Sequence, residues 1–115
     1  MLLSSRSRID VSPENPAADG VGAYFGDDIS VYETRSPLTH AAASALPVMI
    51  AIAEFENPLL DLYGLGLAHR IALARRRAPR FLRLAGHNHI SMVAHFNTME
   101  DNLGREIVEF TRRLA

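Results

Sequence analysis

Apolar residues in the second half of this chain change rhythm twice, and each change marks an element. Pro47 to Phe55 reads Pro-Val-Met-Ile-Ala-Ile-Ala-Glu-Phe, a continuous apolar run. A strand covered on both faces has this pattern, because neither alternating set of side chains meets water, as in parallel sheets. Asn57-Pro58 then predicts a helix start, with Asn57 as N-cap and Pro58 at the first helical position. Leu60, Tyr63, Leu67 and Ile71 recur at helical spacing and share one face. Arg75, Arg76 and Arg77 fall in the last turn, where positive charge suits the helix dipole, and Pro79 stops the helix. Gly64 and Gly66 each cost that helix about 1 kcal/mol relative to alanine. Close packing of a small-residue face on a sheet is the expected offset. Arg80 to Ala85 returns to a short strand pattern ended by Gly86. Strand, helix, strand in this order imply a parallel pair.

The flanking segments are less regular. Met1 to Ser5 reads as the end of a strand, and Asp10 to Gly26, rich in proline and glycine, as a loop with one helical turn. Ser36-Pro37-Leu38 starts a short helix with proline just inside it. The last element is an amphipathic helix with Leu103, Ile107, Phe110 and Leu114 as its stripe. Thr98 is its expected cap, with Asp101 bonding back. The predicted fold is α/β: about three parallel strands with flanking helices in one domain over residues 1–115. Residues 1–46 form a strand end and a loop-rich segment, and residues 47–115 the strand–helix–strand unit and terminal helix.

Composition narrows the function. The chain has 115 residues, enough for one small domain. Its 12 basic and 13 acidic residues leave no reason to expect a nucleic-acid partner. Arg75 to Arg77 lack interleaved aromatics and read as a solvated helix end. No apolar run approaches the ~20 residues that span a bilayer. Met1-Leu2-Leu3, followed by Arg6 and Arg8, is too short for a signal peptide's apolar core. The absence of cysteine excludes disulfides and thiolate metal sites, and fits a reducing, cytoplasmic setting.

Candidate chemistry lies where α/β sheets concentrate it, just beyond the C-terminal ends of strands. Glu54-Phe55-Glu56-Asn57-Pro58 follows the first strand and Gly86-His87-Asn88-His89-Ile90-Ser91 the second. An acid after one strand and a histidine after the next is the chain order of the acid and histidine in an α/β-hydrolase triad. In that chemistry the acid fixes the imidazole tautomer and the histidine shuttles the nucleophile's proton. Either glutamate and either histidine meets this description, and loop charge or polar surface is the plainer reading of each. His87 and His89 also form a candidate metal pair with His95 or Asp101, but no spacing supplies a third ligand.

From Gly20 onward the chain resembles the C-terminal part of bacterial α/β-hydrolases of the carboxylesterase and lipase kind. The resemblance is carried by Ala23-Tyr24-Phe25-Gly26-Asp27-Asp28, Arg35-Ser36-Pro37-Leu38-Thr39-His40, Ala53-Glu54-Phe55-Glu56 and Phe81-Leu82-Arg83-Leu84-Ala85-Gly86-His87-Asn88-His89. Phe96-Asn97-Thr98 and Leu103-Gly104-Arg105-Glu106-Ile107 continue it. It implies a partial α/β-hydrolase sheet, a small carboxylic-ester substrate and no cofactor or metal. It maps the triad acid onto Glu56, where relatives mostly carry aspartate, with Glu54 as rival. It favours His89, followed by a bulky apolar residue and a small polar one, over His87. The family's Gly-x-Ser-x-Gly nucleophile turn and His-Gly-Gly oxyanion segment have no counterpart here. Ser44 lacks flanking glycines, and Ser91 is too near His89 to stand apart from it. The expectation is a truncated domain, inactive alone, or a non-catalytic interaction module. Met1–Ser5 and Val48–Phe55 are expected to leave an uncovered strand edge open to self-association.

Overall fold

The computed structural model describes residues 1–41 and 43–114; Ala42 and Ala115 lie outside the described residues. Its centre is a three-stranded, all-parallel sheet with helices on both faces. In chain order the elements are β1 (Leu2–Leu3), α1 (Ala18–Phe25), α2 (Tyr32–Arg35), α3 (Pro37–Ala41), β2 (Met49–Phe55), α4 (Leu60–Arg75), β3 (Arg80–Asn88), α5 (Ser91–Ala94) and α6 (Asn102–Arg112).

The apolar run of β2 is explained by its position. Met49, Ala51 and Ala53 face one side, where Met92 of α5 and Leu103, Ile107 and Phe110 of α6 cover them. Ile50 faces the other, against Leu38 of α3 and Leu67 and Ile71 of α4. Both faces of the strand are therefore dry. β2 is also central: Leu2 pairs with Ile50 on one side, and Phe81 pairs with Ile50 on the other. The expectation of an open edge along Val48–Phe55 is corrected in part: β3 runs along one side of β2, whereas β1 pairs only with Ile50 and Ala51 on the other. The outer strands among the described residues are β1 and β3.

Four boundaries differ from the sequence reading. Asn57 and Pro58 do not open α4; Leu60 N–H closes a turn on Asn57 O at 3.2 Å, and Leu59 enters the helix with φ 69°. α1 has eight residues, because Val21 has Ile9 and Tyr32 to bury against in a satellite core that Phe25 flanks. β3 runs past Gly86 to Asn88. Asp101, not Thr98, caps α6, accepting from Gly104 N–H at 2.8 Å and Asn97 N–H at 2.7 Å, while Leu114 lies beyond the helix end and is exposed.

Charged side chains brace this framework. Arg80 joins β3 to α6 through Glu106 and Glu109, each at 3.0 Å. Arg75 donates to Leu46 O at 2.9 Å and Ala41 O at 3.3 Å, so it clamps the segment before β2 rather than forming a free basic patch. The radius of gyration, 15.1 Å, exceeds the ~13 Å of a compact domain near this length. Among the described residues no helix is long and apolar enough to cross a membrane.

Candidate functional site

Because all three strands run the same way, their C-terminal ends lie on one rim. Ser4 follows β1, Glu56 follows β2 and His89 follows β3. The two outer residues meet at the middle one. His89 Nδ1 lies 2.9 Å from Glu56 Oε1, and Ser4 Oγ lies 2.5 Å from Glu56 Oε2.

The choice of His89 over His87 is made by a bulge. Ala53 pairs with Leu84, but Phe55 pairs with Asn88, so β3 carries two more residues than β2 across this interval. In regular register Phe55 would oppose Gly86 and His87 would arrive level with Glu56. The bulge advances β3 and brings His89 there instead. It is held by Glu54, whose carboxylate accepts Gly86 N–H at 2.7 Å and Arg83 Nη2 at 3.1 Å. Gly86 sits at φ 75°, a conformation glycine tolerates and β-branched residues do not. Glu54, the rival acid, thus builds the turn rather than facing a histidine. Bonds from Gly86 N–H and Arg83 hold its carboxyl below the usual carboxylate range.

Glu56 is almost fully enclosed, its side chain 2% exposed, whereas that of His89 is 34% exposed. Four donors converge on the carboxylate, two on each oxygen. Oε1 accepts from His89 and from Asn57 N–H at 3.1 Å; Oε2 accepts from Ser4 and from Ala53 N–H at 3.0 Å. Burial by itself would raise this carboxyl, but the hydrogen bonds from Ser4, Ala53, Asn57 and His89 outweigh it and hold it below the usual range. An ionised carboxylate only accepts, so the Nδ1 that meets it must carry a proton, and in the neutral imidazole this leaves Nε2 as the acceptor. A cleft of about 460 Å³ opens beside His89, bordered by Ser4, Arg6, Pro16, Asn57 and Leu60. A groove of about 570 Å³ along α6, bordered by Phe96, Gly104 and Val108, lies on residues apart from this pair.

The remaining candidates are engaged elsewhere. His87 Nδ1 faces Ser91 Oγ at 3.2 Å, and its ring packs edge-on against His95 at 5.0 Å between centroids. His95 Nδ1 lies 2.9 Å from Glu100, and Asp101 is committed to its cap. Hence the metal grouping of His87 and His89 with His95 or Asp101 is not assembled; among the described residues no three such side chains are placed to hold an ion. Ser91 Oγ accepts Asn88 N–H at 2.9 Å, and Ser44 Oγ accepts Leu46 N–H at 3.2 Å. Sequence reasoning missed Ser4. Its only signal there was a small polar residue closing the Leu2-Leu3 strand.

The geometry defines an acid–histidine pair at the C-terminal rim of a parallel α/β sheet. No protein-family model matches the chain, and comparison with curated proteins finds no significant relative.

Proposed function

We propose that this chain supplies the acid and histidine of a serine-hydrolase triad acting on small carboxylic esters, with Glu56 as the acid and His89 as the proton shuttle. The observation that carries the reading is the buried, fourfold hydrogen-bonded Glu56 carboxylate 2.9 Å from His89 Nδ1. Glu56 keeps the proton on Nδ1 and stabilises the imidazolium that forms during reaction. His89 Nε2 takes the proton from a serine hydroxyl as its oxygen attacks the ester carbonyl, then gives it to the departing alkoxide. Water repeats the cycle on the acyl-enzyme, releasing the acid and restoring the serine. No cofactor enters this chemistry. The nucleophile belongs to a Gly-x-Ser-x-Gly turn, which these 115 residues do not contain.

A second reading is an interaction module whose partner completes the sheet. It is favoured by the open edges of β1 and β3 and by Phe55 and Ile90, which are 65% and 68% exposed beside the site residues.

The test is fluorophosphonate labelling and p-nitrophenyl butyrate hydrolysis, with the chain alone and with a co-expressed polypeptide carrying an elbow serine. The expected result is no labelling of the chain alone and, on reconstitution, turnover that disappears in His89→Ala and in the elbow-serine variant. Reconstituted turnover that is indifferent to His89→Ala would sink the proposal. Labelling of the chain alone, at a serine mapped by mass spectrometry, would show that one of its own serines is the nucleophile.

A further inference from the structure

We propose that Ser4 is the positioning residue of this site: its hydroxyl holds the Oε2 side of Glu56 so that Oε1 is presented to His89. The inference rests on the acid–histidine reading above and adds the element that makes a glutamate workable there. A glutamate has one more rotatable bond than an aspartate, and its terminal torsion is broad. Its carboxylate therefore holds one orientation only when donors fix both oxygens.

The contacts around Ser4 fit that task. Its backbone N–H donates to Ala51 O at 2.9 Å, which locks it in register on β2. Ala53, two residues further along β2, donates to the same Oε2 that Ser4 holds. Both anchors therefore move with the strand that carries Glu56. Ser4 is 7% exposed and sits at φ 42°, a left-handed conformation that serine adopts at a cost. Met92 Sδ packs against its hydroxyl. Nor is Ser4 placed as the nucleophile. Its proton points to the carboxylate, and it meets the oxygen that His89 does not.

The experiment uses the whole chain with labelled histidine and glutamate side chains. Long-range proton–nitrogen spectra read the His89 tautomer, and carboxyl carbon shifts follow Glu56 through acid. The parent is expected to show Nδ1–H on His89. Ser4→Gly, which suits a positive φ, and Ser4→Ala should shift His89 toward the Nε2–H form and move the Glu56 transition upward in pH. A folded Ser4→Gly with both signals unchanged overturns the proposal. If the smaller variants unfold, Ser4→Cys decides, since it keeps the volume and donates only weakly. The same losses are expected there, and unchanged signals overturn the role. A parent that already carries Nε2–H refutes the acid–histidine reading itself, a result separate from failure of Ser4 alone.

Discussion

Gly64 and Gly66 stand two residues apart on α4, and a methyl group added at each meets opposite surroundings. At Gly66 the nearest atom to a new Cβ is Leu38 Cδ1 at 3.9 Å, an ordinary contact. Gly66→Ala should therefore gain most of the helix-propensity difference, about 0.5–1 kcal/mol. At Gly64 the same methyl would sit 2.8 Å from Ile52 Cγ2 and 3.6 Å from Ile50 Cγ2. Both isoleucines are nearly inaccessible, at 3% and 1% exposure, and their Cγ2 atoms move only if χ1 turns or α4 lifts from the sheet. Overpacking of this kind costs about 1–3 kcal/mol. Set against the same propensity gain, the net is a loss of about 1 kcal/mol, or roughly 4 °C in Tm for a chain of this size. Urea denaturation of the two variants beside the parent measures both signs at once. Stabilisation of both variants alike would refute the close approach of α4 to β2. Destabilisation of Gly66→Ala would refute the view that only Gly64 is sterically required.

Acid should weaken the fold through Glu56 and Asp10. At both, burial alone would raise the carboxyl, but hydrogen bonds outweigh it: from Ser4, Ala53, Asn57 and His89 at Glu56, and chiefly from Tyr63 and Ser12 at Asp10. A carboxyl depressed on folding stabilises fully above its unfolded value and loses that contribution as pH falls through its folded one. The urea midpoint should thus drop below about pH 4.5, with a flatter profile in Glu56→Ala. Tyr63 donates to Asp10 at 2.6 Å, and burial together with Asp10 pushes its phenol up to about 12. Tyr63→Phe should lose about 1–2 kcal/mol in thermal unfolding, and alkaline absorbance should show Tyr63 still protonated at about pH 11. Asp101→Ala leaves Gly104 N–H and Asn97 N–H without their acceptor and should cost about 1–2 kcal/mol by the same denaturation assay.

The parallel sheet was legible in the sequence because burial leaves a local record. A strand dry on both faces must be apolar throughout, and Met49 to Ala53 is. A helix that buries one face repeats its apolar residues at helical spacing, and Leu60, Tyr63, Leu67 and Ile71 are all buried as that spacing implies. Helix starts were less legible, because a cap is decided by which donor a side chain reaches after the chain has turned. Asn57 and Thr98 had suitable chemistry, but Leu59 and Asp101 occupy the cap positions.

At the site the sequence narrowed the acid to Glu54 or Glu56 and the histidine to His87 or His89, since strand ends can be read from apolar runs. Resemblance favoured the second of each pair. Why His89 comes level with Glu56 belongs to the tertiary structure alone. The two-residue excess in β3 is a property of pairing between strands; Gly86 marks a place where β3 can bulge, but not by how many residues. Ser4 was invisible for the same reason: a hydrogen bond across 52 residues depends on β1 lying beside β2, not on anything near Ser4 in the chain. Local pattern dictates which elements form and which faces they bury. Contacts between distant strand ends decide which polar side chains meet, because their distances are set by sheet register.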